Sequence, residues 1–226
     1  MSEVIAKNTP QLDFIEQHQA PQMARDILSL AGTAMRFACI ERVPRYSCTR
    51  RENNAEHSLM LSLVSIELAA RYFPDIDLGL VAQFPPIHDL PELETDDIPT
   101  YTLSDTELAS KEAAEQSAAP RVARSLPPYI GSLLLEYEKQ ERIEARLVRF
   151  VDKTLPVSVD ILGPGVQVMR EDYGITTEEQ LHGNAARLSS NFRHKFADAA
   201  FEQLHQARDI LAFQFAAKFA LETANL

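Results

Sequence analysis

The sequence predicts an all-α protein, a helical bundle with additional C-terminal helices, and three observations carry that reading. Apolar residues recur at helical spacing through most of the chain, and no alternating apolar run makes a convincing strand. Glycine is scarce, with 7 residues in 226, and tryptophan is absent. Helix-opening signals recur, among them Ser104 with Glu107 and Thr176 with Glu179 at capping-box spacing.

The elements follow in order. The first ten residues read as frayed, and a helical stretch runs from about Gln11 to Ile40, interrupted near Pro21. The segment "RVPRYSCTRR" reads as a basic loop, with Arg42, Arg45, Arg50 and Arg51 and no acid among them. A long helix is expected from about Asn53 to Tyr72, stopped by Pro74. Asp75 or Asp77 caps the next helix, in "DIDLGLVAQF". Ser104 opens an Ala- and Glu-rich helix that "LPP" at residues 126–128 breaks. Helices are expected at about Tyr129 to Lys139 and Glu141 to Leu162, the latter ended by "GPG". Thr176 then opens a helical tail reaching about Thr223. With no internal repeat and no low-complexity linker, the expectation is one domain over 1–226, with its core at about 31–162 and a C-terminal extension at about 176–223.

Composition narrows the function. The net charge of −11 argues against nucleic acid as a partner, because phosphate contacts dominate such binding. No apolar run approaches the ~20 residues that span a bilayer, so no membrane partner is expected. The first thirty residues lack the pattern of a signal peptide. Cys39 and Cys48 form no framework, so a reducing, cytoplasmic location is expected. The apolar content of "LAFQFAAKFAL" suggests a homodimer surface or a cover for the core.

Polar residues on apolar faces carry the chemistry. His57 shares a helical face with Leu61, Val64 and Leu68, and His88, followed by Asp89, shares one with Val81 and Phe84. Asp152 lies on a stripe with Ala145, Val148, Leu155 and Val159. Any one of these alone reads as an ordinary hydrogen-bonded core residue. Three helices that each aim a histidine or aspartate inward point to one divalent cation, since a buried carboxylate needs a positive partner. Imidazole with carboxylate suits Mn, Fe, Co, Ni or Zn better than Ca. His18, His182, His194 and His205 read as surface or ordinary packing.

"ENNAEHSLM", "IHDLPELETDDIPT" and "FVDKTLP" together resemble the HD-domain metal-dependent phosphohydrolases, in the branch of the bacterial 5'-deoxynucleotidases and related deoxynucleoside triphosphate hydrolases. The resemblance covers roughly Ala31 to Leu162. It implies that His57, His88, Asp89 and Asp152 hold one metal ion, and that Glu92 orients or deprotonates the attacking water. It also places Asp97 at the sugar and Arg42 at the phosphate, with Arg45 and Val43 in the same substrate-contacting loop. The implied reaction is cleavage of a deoxynucleoside 5'-monophosphate to nucleoside and phosphate, or alternatively of a deoxynucleoside triphosphate to nucleoside and triphosphate. A catalytically weak nucleotide sensor is a third reading.

The chain departs from the family pattern at three places. Asp96 replaces a glycine before the aspartate of "DIPT", which puts that turn in question. Val43 stands where the deoxynucleotidases carry tryptophan. Pro85 and Pro86 fall inside the helix expected to carry His88, so a kink or broken turn is expected just before it.

Overall fold

The computed structural model describes residues 19–224; the readings of residues 1–18, including His18 and the helical stretch from Gln11, lie outside them. Among the described residues, regular structure is helical apart from one small hairpin. The elements are α1 (Ala20–Phe37), β1 (Glu41–Ser47), β2 (Arg50–Asn53), α2 (Asn54–Tyr72), α3 (Leu78–Gln83), α4 (Glu92–Thr95), α5 (Asp105–Ser125), α6 (Pro128–Lys139), α7 (Ile143–Asp152), α8 (Leu155–Leu162), α9 (Gly165–Glu171), α10 (Glu178–Lys195) and α11 (Glu202–Thr223), with a short 3₁₀ turn before α11.

Several boundaries differ from the sequence reading for physical reasons. The basic loop is an antiparallel hairpin, pairing Glu41 with Asn53 and Arg45 with Arg51 through two register irregularities. Its sequence lacks the alternating apolar residues and the Asn-Gly turn that usually announce a hairpin. The helix expected over residues 141–162 divides at Lys153 and Thr154, because Pro156 fits only the first turn of a new helix. The tail divides near Phe196. Its opening cap is Thr177 with Gln180, one residue later than the Thr176 and Glu179 expected, and Thr177 Oγ1 accepts from Gln180 N. Pro21 lies in the first turn of α1, where a proline is tolerated. Gly165 starts α9 rather than only ending α8.

The main core gathers Leu61 of α2, Val81 and Phe84 around α3, Leu134 and Tyr137 of α6, and Leu147, Val148 and Phe150 of α7. Helix α7 is buried almost all round, including Asp152 at its last position. A second apolar cluster, with Val166, Met169, Ile175, Leu181, Phe215 and Phe219, lies beneath α11. Lys218 of α11 donates to the carbonyls of Asp160 and Ile161, capping the exposed end of α8. The hairpin packs on α8 and α9, which fixes β1 over the part of the core where α2 begins.

Candidate metal centre

His57 is the fourth residue of α2, and the helix start fixes where it points. Asn53 Oδ1 accepts from Glu56 N at 3.0 Å, while Glu56 Oε2 accepts from Asn53 N at 3.3 Å. This capping box starts the helix so that His57 faces inward, 1% exposed, with Leu61 one turn below it. His57 Nε2 lies 3.0 Å from Asp152 Oδ1.

The segment before His88 turns as the prolines require. α3 ends at Gln83, and successive short backbone bonds, Ile87 N to Phe84 O and Leu90 N to Ile87 O, carry the chain through the His88-Asp89 pair. The carbonyl of Pro85 accepts from His88 Nδ1 at 2.7 Å. A carbonyl only accepts, so Nδ1 carries the proton and Nε2 faces the cluster. His88 Nε2 lies 2.9 Å from Asp89 Oδ2 and 3.6 Å from Asp152 Oδ1, yet makes no well-aligned hydrogen bond. The two imidazole centroids are 5.4 Å apart. One ligand atom from each of His57, His88, Asp89 and Asp152 falls within a sphere of separations no larger than 4.8 Å.

Burial alone would lower the His88 pKa, but Asp89 and Asp152 override it and hold it near 10. Burial opposes charge on Asp89 and Asp152, yet His88 beside Asp89, and Lys153 with both histidines beside Asp152, keep both carboxyls below their usual range. A protonated imidazole between the buried Asp152 and the partly buried Asp89 carboxylates occupies the electrostatic role of a cation. The donor set, two imidazole nitrogens and two carboxylate oxygens around an unaligned His88 Nε2, fits a divalent ion of the Mn-to-Zn series.

Around the four ligands stand the other expected residues. Arg42 reaches inward from β1, 8% exposed, with Nη1 at 3.0 Å from Asp89 Oδ2 and 3.9 Å from Glu92 Oε2. Glu92, at the start of α4, is buried; desolvation, reinforced by Asp89 and Asp97, pushes its pKa up to about 9. Asp97 lies 3.7 Å from the Lys111 ammonium, which donates to Ile98 O at 2.7 Å and so fixes the "DIPT" turn. Asp96 adopts φ 57°, the left-handed region, so the turn keeps a glycine-like backbone without a glycine. Arg45 is engaged away from the cluster, by Glu171 at 2.9 Å and Asp172 at 2.7 Å, and ties the hairpin to α9. Val43 is half-buried on β1, its carbonyl facing Arg51 Nη1 at 3.4 Å.

Two neighbours escaped the sequence reading. Glu52, fully buried on β2, lies 3.6 Å from His57 Nδ1 and 3.6 Å from Arg42 Nε, and accepts from Tyr46 Oη at 3.2 Å. At that distance Glu52 makes no hydrogen bond to His57 Nδ1, and its carboxylate faces the ring electrostatically while Nε2 faces the cluster. Asn54, also fully buried, bonds both Arg42 and Glu92. Both precede or open α2, so helical periodicity gave no signal for them. The remaining histidines have ordinary settings: His182 and His194 are exposed, and His205 Nε2 pairs with Phe196 O at 2.8 Å.

The profile of the family described as HD domain matches residues 39–194, a span containing every residue of this cluster. In fold, the chain is similar to a crystal structure of a predicted metal-dependent phosphohydrolase from Magnetospirillum magnetotacticum MS-1. That match has 23% identity and a TM-score of 0.64, over 86% of this chain and 94% of that one. It is more distantly similar to a conserved hypothetical protein from Pyrococcus furiosus, with 22% identity and a TM-score of 0.48, over 81% of this chain and 98% of that one. No curated protein matches.

Proposed function

The chain belongs to the HD-domain family, and from that premise we propose that it is a metal-dependent phosphohydrolase cleaving deoxynucleoside 5'-monophosphates to nucleoside and phosphate. The observation that carries this reading is the convergence of four ligand atoms within 4.8 Å, flanked on one side by Arg42 and Glu92. His57, His88, Asp89 and Asp152 would hold one divalent transition-metal ion. When bound, such an ion supplies Lewis-acid polarisation of a phosphoryl oxygen and makes water a better nucleophile.

The protein's own groups do the rest. Arg42 Nη1 is taken by Asn54 and Asp89, which leaves Nη2 of the already desolvated guanidinium to donate to a phosphoryl oxygen. Glu92 Oε2 is held by Asn54, and a divalent cation at the cluster would keep the carboxyl ionised, so that Oε1 can take the proton of the attacking water. Pro85 holds the His88 ring through its carbonyl, and the Glu52 carboxylate lies on the Nδ1 side of His57 at 3.6 Å, an electrostatic neighbour rather than a hydrogen-bond partner. Asp97, steadied by Lys111, takes the 3'-hydroxyl of the sugar, and Val43 forms part of the sugar wall. Phosphoryl transfer needs mainly such positioning and charge neutralisation.

The test is a product analysis. Deoxynucleoside mono- and triphosphates are incubated with Mn-, Co- or Zn-loaded protein and the products separated by chromatography. Nucleoside plus phosphate from the monophosphates is expected. Nucleoside plus intact triphosphate would replace this substrate with the triphosphates, and binding without turnover would make the protein a sensor.

A further inference from the structure

We propose that Asn54 is a positioning residue that clamps Arg42 and Glu92 apart, so that neither silences the other. The inference rests on the phosphohydrolase reading above and adds a residue to it. Asn54 opens α2, is fully buried, and its backbone N donates to Ile40 O at 3.1 Å. Its side chain is used at both ends: Oδ1 accepts from Arg42 Nη1 at 3.1 Å, and Nδ2 donates to Glu92 Oε2 at 2.8 Å. A guanidinium has donors only, so the amide oxygen must face Arg42 and the amide nitrogen must face Glu92.

The reason for a clamp lies in the distances. Arg42 Nη1 is 3.9 Å from Glu92 Oε2, close enough for attraction and too far for a hydrogen bond. With an apolar side chain at position 54, Glu92 would lose the amide that donates to its carboxyl and turn to that guanidinium. The resulting direct pair would take the proton acceptor and the phosphate-binding cation out of use together. Asn54 satisfies each group separately and holds them open toward the cluster.

The experiment compares Asn54→Leu and Asn54→Asp in the parent and in Glu92→Gln, with metal content measured for every variant. In the parent, Asn54→Leu should lower kcat by ~10–100-fold at unchanged metal content, because Glu92 is misplaced. In Glu92→Gln the same change should cost less than ~3-fold, since a residue acting through Glu92 has nothing left to position. Asn54→Asp retains the acceptor for Arg42 and loses the donor to Glu92, so it should lower kcat while leaving KM near the parent value. Parent-like kcat in both variants, or equal losses in both backgrounds, would overturn the clamp. Should the parent hydrolyse no nucleotide at all, the phosphohydrolase reading falls, and side-chain amide NMR decides the clamp. The Asn54 amide protons should then exchange with water at least ~10-fold faster in Glu92→Leu than in the parent, and equal exchange would overturn it.

Discussion

Asp96 shows how one residue can be both a departure from a pattern and a preserved shape. A non-glycine residue at φ 57° and ψ 165° is strained, by about 1–3 kcal/mol for such regions. Asp96→Gly removes the strain and adds roughly 0.4–1 kcal/mol of unfolded-chain entropy. We therefore expect a net stabilisation of about 1 kcal/mol, read as a rise in denaturant midpoint; a lower midpoint would show that the Asp96 side chain itself stabilises the turn. Protonation is the second residue-scale consequence. His88 is raised from 6.5 to about 10 and Glu92 from 4.5 to about 9, so the folded protein holds both protons more tightly than the unfolded chain. Stability therefore falls as pH rises, first through the Glu92 window above 4.5 and then through the His88 window above 6.5. Asp89 and Asp152 are shifted down, and their stabilisation is lost only in acid. Thermal melts of chelator-treated protein should show Tm declining between about pH 6.5 and pH 9. Metal-loaded protein should show no such decline, because metal binding favours the deprotonated His88 ligand and the ion's charge opposes a proton on Glu92. A flat profile for the chelated form would remove the buried imidazolium from the account.

At the scale of elements, the glycines of α6 and α10 make a matched pair. A Cβ at Gly131 would lie 2.4 Å from the carbonyl oxygen of Ala123, where α6 crosses close to α5. A Cβ at Gly183, exposed on α10, would meet nothing within 4 Å. Gly131→Ala should destabilise by about 1–3 kcal/mol through overpacking, whereas Gly183→Ala should stabilise by roughly 0.5–1 kcal/mol through helix propensity. Urea unfolding of the two variants checks both; equal effects would mean that α6 and α5 do not approach as described. The same scale explains what the sequence made legible. His57 and Asp152 were readable because each shares a helical face with buried apolar residues, whereas the face expected to join His88 to Val81 and Phe84 does not form, because α3 ends at Gln83. The hairpin was not, because Pro44 and a run of arginines hide a strand whose partners are α8 and α9 rather than an alternating face. Glu52 and Asn54 went with it: a carboxylate on β2 becomes a neighbour of His57 only once the hairpin folds over α2. The kink before His88 was readable from Pro85 and Pro86, but not its use, which is to aim a carbonyl at His88 Nδ1.

Across the whole molecule, the cluster is where separate segments meet. β1 brings Arg42, β2 brings Glu52, α2 brings Asn54 and His57, the proline turn brings His88 and Asp89, α4 brings Glu92, and α7 brings Asp152. Ion pairs from Arg45 and Arg51 to Asp172 hold the hairpin over α9, so the site depends on contacts well outside it. No described helix is long and apolar enough to cross a membrane. Among these segments the four ligands form the one group of described residues that offers a set of atoms for a metal ion. The most direct test of the account is therefore metal content by elemental analysis, on protein purified without chelator, for the parent and for Asp152→Ala. The account predicts about one equivalent of a transition metal per parent chain, as a single ligand set implies, and a clear loss in Asp152→Ala. Parent protein that carries no metal and takes none up when Mn, Co or Zn is supplied would contradict it.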